Sequence, residues 1–145
     1  MRKILIIFCT LLMLALSALP VCAASSVSAS LSVSDKTVNA GDKITITVSA
    51  KVDSCGSGGI EISYNSSVFE LSSGDWVVKG AMMTDFSKTS KDGVFAFDSA
   101  TKISGKVFKF VLKVKSNAPV GKSTVTVKFK ADSKSVSKST TITVA

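Results

Sequence analysis

Few side chains in this 145-residue sequence could carry chemistry, and their types narrow the choice. There is no His, one Trp, one Tyr and three Cys. Without imidazole there is no Ser-His-Asp or Cys-His nucleophile system and no His-ligated metal site. Cys9 and Cys22 belong to an apolar N-terminal stretch, which leaves Cys55 alone in the Gly/Ser-rich segment 53–59. One Cys makes neither an internal disulfide nor a Cys-rich zinc or iron–sulfur site. An exposed thiol there could pair with another chain or stay reduced, according to the redox state of its compartment. The carboxylates Glu61, Glu70, Asp75, Asp85 and Asp98 are the remaining reactive groups. A glycosidase needs two of them at a set separation across a sugar cleft, and a small domain with short loops has little material for one. Asp75, Asp85, Asp92 and Asp98 fall in or near loops where Ca2+ could find oxygen ligands. No EF-hand spacing appears, so no ligand set is assigned and no cofactor is expected. Phosphate-binding patterns (GxxxxGK[ST], GxGxxG) are absent. The expectation is a chain that is not an enzyme.

The mean hydropathy of +0.40 is high, and its source is local. Residues 1–23 run from Met1-Arg2-Lys3 through an apolar stretch, Ile4 to Leu19, to Pro20-Val21-Cys22-Ala23. A short basic start, an apolar middle and small residues at the end make a secretory signal peptide, with cleavage after Ala23 or Ala24. The apolar stretch is shorter than the roughly 18–20 residues a spanning helix needs, and no second one follows. Acylation of Cys22 is disfavoured because Val21 is bulkier than lipoprotein processing usually takes. The expected organisation is a signal peptide over 1–23 and one domain over 24–145, secreted or held at a bacterial cell surface, with no membrane span in the mature chain.

Arg2 and Lys3 leave with the leader, so 16 Lys face 10 acids and the net charge falls from +8 to +6. The charge is uneven: residues 101–145 carry ten Lys against Asp132 alone. Nucleic-acid binding would call for Arg, which grips phosphates and base edges in bidentate fashion, and the mature chain has none. Lys109, Lys113, Lys128 and Lys130 instead alternate with apolar residues, as on a solvated strand face that resists edge-to-edge aggregation. Attraction to an acidic partner or an anionic cell wall is the second reading.

Period-two alternation recurs through the rest of the chain. It predicts strands over 27–33, 44–52, 60–64, 68–71, 76–78, 94–97, 107–114, 125–129 and 140–144, with one short strand near Asp85-Phe86-Ser87. Asn39–Asp42, Ser72–Asp75 and Asn117–Gly121 read as turns, and Ala131–Ser137 as a link. Phe69, Phe95, Phe97, Phe108, Phe110 and Phe129 fall mostly on inner faces. Such spacing predicts an all-β chain, a jelly-roll β-sandwich of eight or nine mostly antiparallel strands.

Several stretches, taken in order, resemble a cohesin domain: Val38-Asn39-Ala40-Gly41-Asp42-Lys43-Ile44-Thr45-Ile46, then Ile60–Asn65 with Val68–Leu71, then Gly105–Phe110 running on through Lys115 and Ala118–Gly121. The resemblance covers nearly all of residues 27–145. It implies an extracellular nine-stranded sandwich that binds dockerin modules carried by glycoside hydrolases, and so takes part in cellulosome assembly and polysaccharide breakdown. In that family the partner docks on one sheet face, around the third strand and two strands near mid-chain. The corresponding residues here are Glu61, Ser63, Asp85, Ser87, Val94, Ala96 and Ser99. The Asn-x-Asp pattern of cellulosomal cohesins would fall on Ser57-Gly58-Gly59, where both groups are missing. Val94 and Ala96 make a small apolar centre with a polar rim, which suits a docked helix.

A carbohydrate-binding module of the same sandwich class is the alternative. It would need exposed aromatic faces, for which Trp76 is the main candidate; Tyr64 alternates with the core. The first test concerns the leader: sequencing the N-terminus of the exported protein should find Ala24 or Ser25, and an intact Met1 would refute cleavage.

Overall fold

The computed structural model describes residues 26–77, 83–84, 93–97, 99–100 and 102–145. The expected leader over 1–23 lies outside the described residues, as do Asp85, Phe86 and Ser87.

The chain is strand after strand. In order they are β1 (Val27–Val33), β2 (Thr37–Val38), β3 (Lys43–Val52), β4 (Gly58–Ser63), β5 (Phe69–Trp76), β6 (Met83–Thr84), β7 (Val94–Phe97), β8 (Ser99–Ala100), β9 (Ile103–Val114), β10 (Gly121–Ala131) and β11 (Lys134–Val144). One sheet has the order β1-β3-β9-β5 and the other β2-β11-β10-β4-β7, while β6 and β8 form a separate ribbon. The nine strands of the two sheets match the expected sandwich. Every pairing is antiparallel except β2 with β11.

Alternation places the side chains. Along β3, Ile44, Ile46, Val48, Ala50 and Val52 are buried while Lys43, Thr45, Thr47, Ser49 and Lys51 face outward. On β9, Phe108, Phe110, Leu112 and Val114 point into the same core. The expected inner Phe residues are all buried. No polar or charged side chain is buried among the described residues.

Aromatic rings close the space between the sheets. Trp76 on β5 meets Phe97 on β7 at 5.3 Å and Phe108 on β9 at 4.8 Å, both edge to face. Phe95 lies 4.6 Å from Phe108, and Phe97 stacks toward Phe129 at 6.4 Å. Such ring pairs add about 0.5–1.5 kcal/mol each beyond the area they bury.

Four expectations need correction. The predicted turn at Ser72–Asp75 is the interior of a single strand. An irregularity between Leu71 and Ser73 leaves Ser72 and Ser73 both exposed, so that Gly74 and Trp76 turn inward again. A Cβ on Gly74 would come within 2.7 Å of Phe95 and 2.8 Å of Phe108, so the glycine that reads as a turn in fact makes room for rings. The predicted link at Ala131–Ser137 is a tight hairpin, with Ala131 opposite Lys134 and Asp132 at φ 51°, a left-handed conformation that Asp tolerates. β9 begins at Ile103 rather than Val107, bending where Val107 and Phe108 are both buried beside Val48. Finally, Cys55 is not an exposed thiol: it packs against the core at 6% exposure, out of reach of a second chain.

Removing the ring at the centre should cost most. Trp76→Ala is expected to lower unfolding free energy by about 3–5 kcal/mol. Gly74→Val should cost about 1–3 kcal/mol through overpacking. Urea denaturation of the three proteins would check both, and an unchanged midpoint for Trp76→Ala would contradict the packing described.

Candidate functional site

The outer face of the five-stranded sheet holds the candidate docking surface. Register sets its rows, since residues directly opposite in a ladder share a face. Ser137, Lys128, Glu61 and Val94 form one row across β11, β10, β4 and β7. Ser135, Lys130, Gly59 and Ala96 form the next, and Ser139, Thr126 and Ser63 the one on the other side.

Gly59 shapes the centre. Lacking a side chain, it leaves a dent flanked by the Glu61–Lys130 pair and by Val94 and Ala96. A Cβ there would sit 2.5 Å from the Phe95 carbonyl oxygen, so the close approach of β4 and β7 requires glycine. The dent opens into a groove of about 390 Å3 that continues to Asp132. Val94 is 51% exposed, unusual for a strand Val, and Ala96 is exposed too.

Polar contacts hold the rim. Lys130 Nζ lies 3.3 Å from Glu61 Oε2, diagonally across the ladder. Both side chains remain about half exposed, so the pair contributes no more than about 1 kcal/mol and serves more to orient the two groups. Thr126 and Ser139 hydroxyls are 2.8 Å apart. At the groove's end the hairpin tip is tied down: Gly56 and Ser57 N–H groups donate to Asp132 Oδ1 at 2.9 and 3.1 Å, and Asp132 N–H donates to the Ser57 carbonyl at 2.8 Å.

Of the residues expected here from sequence, Glu61, Ser63, Val94 and Ala96 come together on this face. Asp85 and Ser87 lie outside the described residues. Ser99 belongs to β8, in the β6–β8 ribbon rather than the β4–β7 ladder, because the chain leaves the sheet after Phe97. Gly59 falls where the resemblance places the Asn-x-Asp pattern, whereas sequence gives no sign that Lys128 and Lys130 join the site. Lys128 and Lys130 alternate outward as any solvated pair would, and only the β10–β4 register brings them beside Glu61.

Trp76 is a correction. Its ring is 1% exposed and enclosed by Phe97 and Phe108, so it presents no face on which a sugar could stack. Tyr64 is also part-buried, its hydroxyl accepting from Leu71 N–H at 3.3 Å. Among the described residues no group of His, Cys, Asp and Glu is placed to hold a metal, and no helix is long and apolar enough to cross a membrane.

No protein-family model and no curated protein matches the chain. Solved structures do. CaCohA2, a cohesin solved in complex with a variant of the dockerin CaDoc0917, superposes with a TM-score of 0.55 at 24% identity, over 81% of this chain and 100% of its own. The cohesin module of a family 33 glycoside hydrolase from Clostridium perfringens gives 0.56 at 13%, over 81% and 96%. The chain has the cohesin fold. The C-terminal domain of the AgI/II polypeptide BspA from Streptococcus agalactiae also matches, at 0.56 and 13% identity, over 81% of this chain and half of that structure.

Because Trp76 is the sole Trp, its fluorescence reports on the core. Emission should be that of a buried indole and should stay unchanged on adding cello-oligosaccharides; a ligand-dependent shift would reopen the sugar-binding reading.

Proposed function

We propose that the chain is a secreted, non-catalytic module that docks a dockerin-type protein on the outer face of β10, β4 and β7, within an extracellular polysaccharide-degrading assembly. One observation carries this reading: Val94 and Ala96 stand exposed beside side-chain-free Gly59, inside a rim of Glu61, Lys130 and Ser63. An apolar centre with a polar, wettable rim is the anatomy of a protein interface. A flat strand surface with a shallow dent admits a helix more readily than a sugar chain, which would want rings to stack on. The dockerin complex of a cohesin with the same fold supports the partner class. The basic, apolar leader supports export.

The Asn-x-Asp pattern missing at Ser57-Gly58-Gly59 changes how docking would work. With both groups missing there, the polar contacts pass to Glu61 on β4 and to Lys128 and Lys130 on β10. The face would still dock a helix, with different partner residues selected.

Binding decides the matter. The chain, immobilised, would be offered a panel of dockerin modules and, in parallel, insoluble cellulose. Saturable capture of a dockerin is expected, weakened at least about tenfold by Val94→Asp, which places a charge at the apolar centre. Capture of cellulose alone would favour the carbohydrate-binding alternative, and capture of neither would refute both.

A further inference from the structure

The same face also specifies the chemistry of what it docks, an inference that rests on the docking reading above. Outward positions on β4, β7, β10 and β11 carry Lys122, Lys128 and Lys130 but only one carboxylate among the described residues, that of Glu61. Glu61 stands directly opposite Lys128 in the ladder, yet its carboxylate lies against Lys130 at 3.3 Å. Beside Val94 and Ala96 the two ammonium groups share that one acid and leave a local positive excess, because the groove's second carboxylate, Asp132, stands at its far end with Oδ1 taken up by the Gly56 and Ser57 N–H groups. A partner that brings a carboxylate completes this set, whereas one that brings a cation is repelled by it.

Spacing adds geometry to charge. Val94, Glu61 and Lys128 lie in one row on three adjacent strands. Neighbouring strands are about 4.8 Å apart, so Val94 and Lys128 are separated by about 9.6 Å. Along an α-helix, seven residues span about 10.5 Å and return to nearly the same face. We infer that this face receives an α-helix laid across the strands, with an aliphatic side chain over Val94 and Ala96 and a carboxylate seven residues away over Lys128. The helical turn between them passes over the Glu61–Lys130 pair, where a hydroxyl or amide satisfies both charges without disturbing them.

Two designed helical peptides test this. Each carries one central Leu on a face otherwise made of Ala and Ser. They differ only at the positions seven residues before and after that Leu, which are Glu in one and Lys in the other, so that either helix direction is served. Both would be titrated into the 15N-labelled chain. The Glu peptide should shift amides of β4, β7 and β10 and bind at least tenfold tighter than the Lys peptide, and the preference should shrink as salt is raised. Lys128→Glu should reverse the order. Lys128→Gln, which puts no second acid opposite Glu61, should bring the two affinities within about twofold. Equal binding of both peptides to this face, or preference for the Lys peptide, would overturn the charge assignment and leave helix docking standing. Shifts confined to other strands, or none with either peptide, would overturn both.

Discussion

The structure depends on a ring contact made between its two sheets. Trp76 and Phe108 rise from the four-stranded sheet, while Phe95, Phe97 and Phe129 descend from the five-stranded one. No disulfide joins the layers, since Cys55 is the only Cys among the described residues. Apolar burial and edge-to-face geometry must do the joining, and rings of this size supply most of the area per residue. Other features follow from that packing. Gly74 is glycine because Phe95 and Phe108 occupy the space of its Cβ. Gly58 is glycine because Phe97 lies under it. The irregularity in β5 exists so that Trp76 returns to the inner face after two outward serines.

The face proposed for docking is the reverse side of the same packing. Phe95 and Phe97 point in, so Val94 and Ala96 between and beside them must point out. Ile60 and Ile62 point in, so Gly59, Glu61 and Ser63 point out. A residue inserted in β4 or β7 would exchange the two sets. Core and site are therefore specified together, and the exposed apolar centre costs little because its backbone is held by the buried half.

What could be read from sequence divides along one physical line. Alternation is local, and it identified the inner face of β1, β3, β7, β9 and β10 together with the Phe residues of the core. Glycine has more than one meaning, and local context does not say which applies. Gly74 beside Ser72, Ser73 and Asp75 has the composition of a turn, but its role is to make room for rings from distant strands. Ala131–Ser137 looked like a link because β11 begins with polar residues, and Ser135 and Ser137 are polar because they lie on an outer face. Trp76 reads from sequence as the main candidate for sugar stacking because few other aromatics lie off the core pattern; its burial is decided by Phe97, twenty-one positions away. The pairing of Lys130 with Glu61 is likewise a matter of register between strands far apart in the chain, and period two says nothing about register.

The tie at Asp132 has a consequence for when the groove exists. Its two accepted hydrogen bonds cross 75 and 76 positions of sequence, and the walls come from β4, β7 and β10, of which β10 is made among the last. Contacts of such separation form late and slowly, after the loop-closure entropy between them has been met. A nascent or clipped chain that ends before β10 would still own Val94 and Ala96 but would have neither Lys128 nor the tip that closes the groove. Docking on this face, as proposed, therefore requires a molecule whose far ends of sequence have already met.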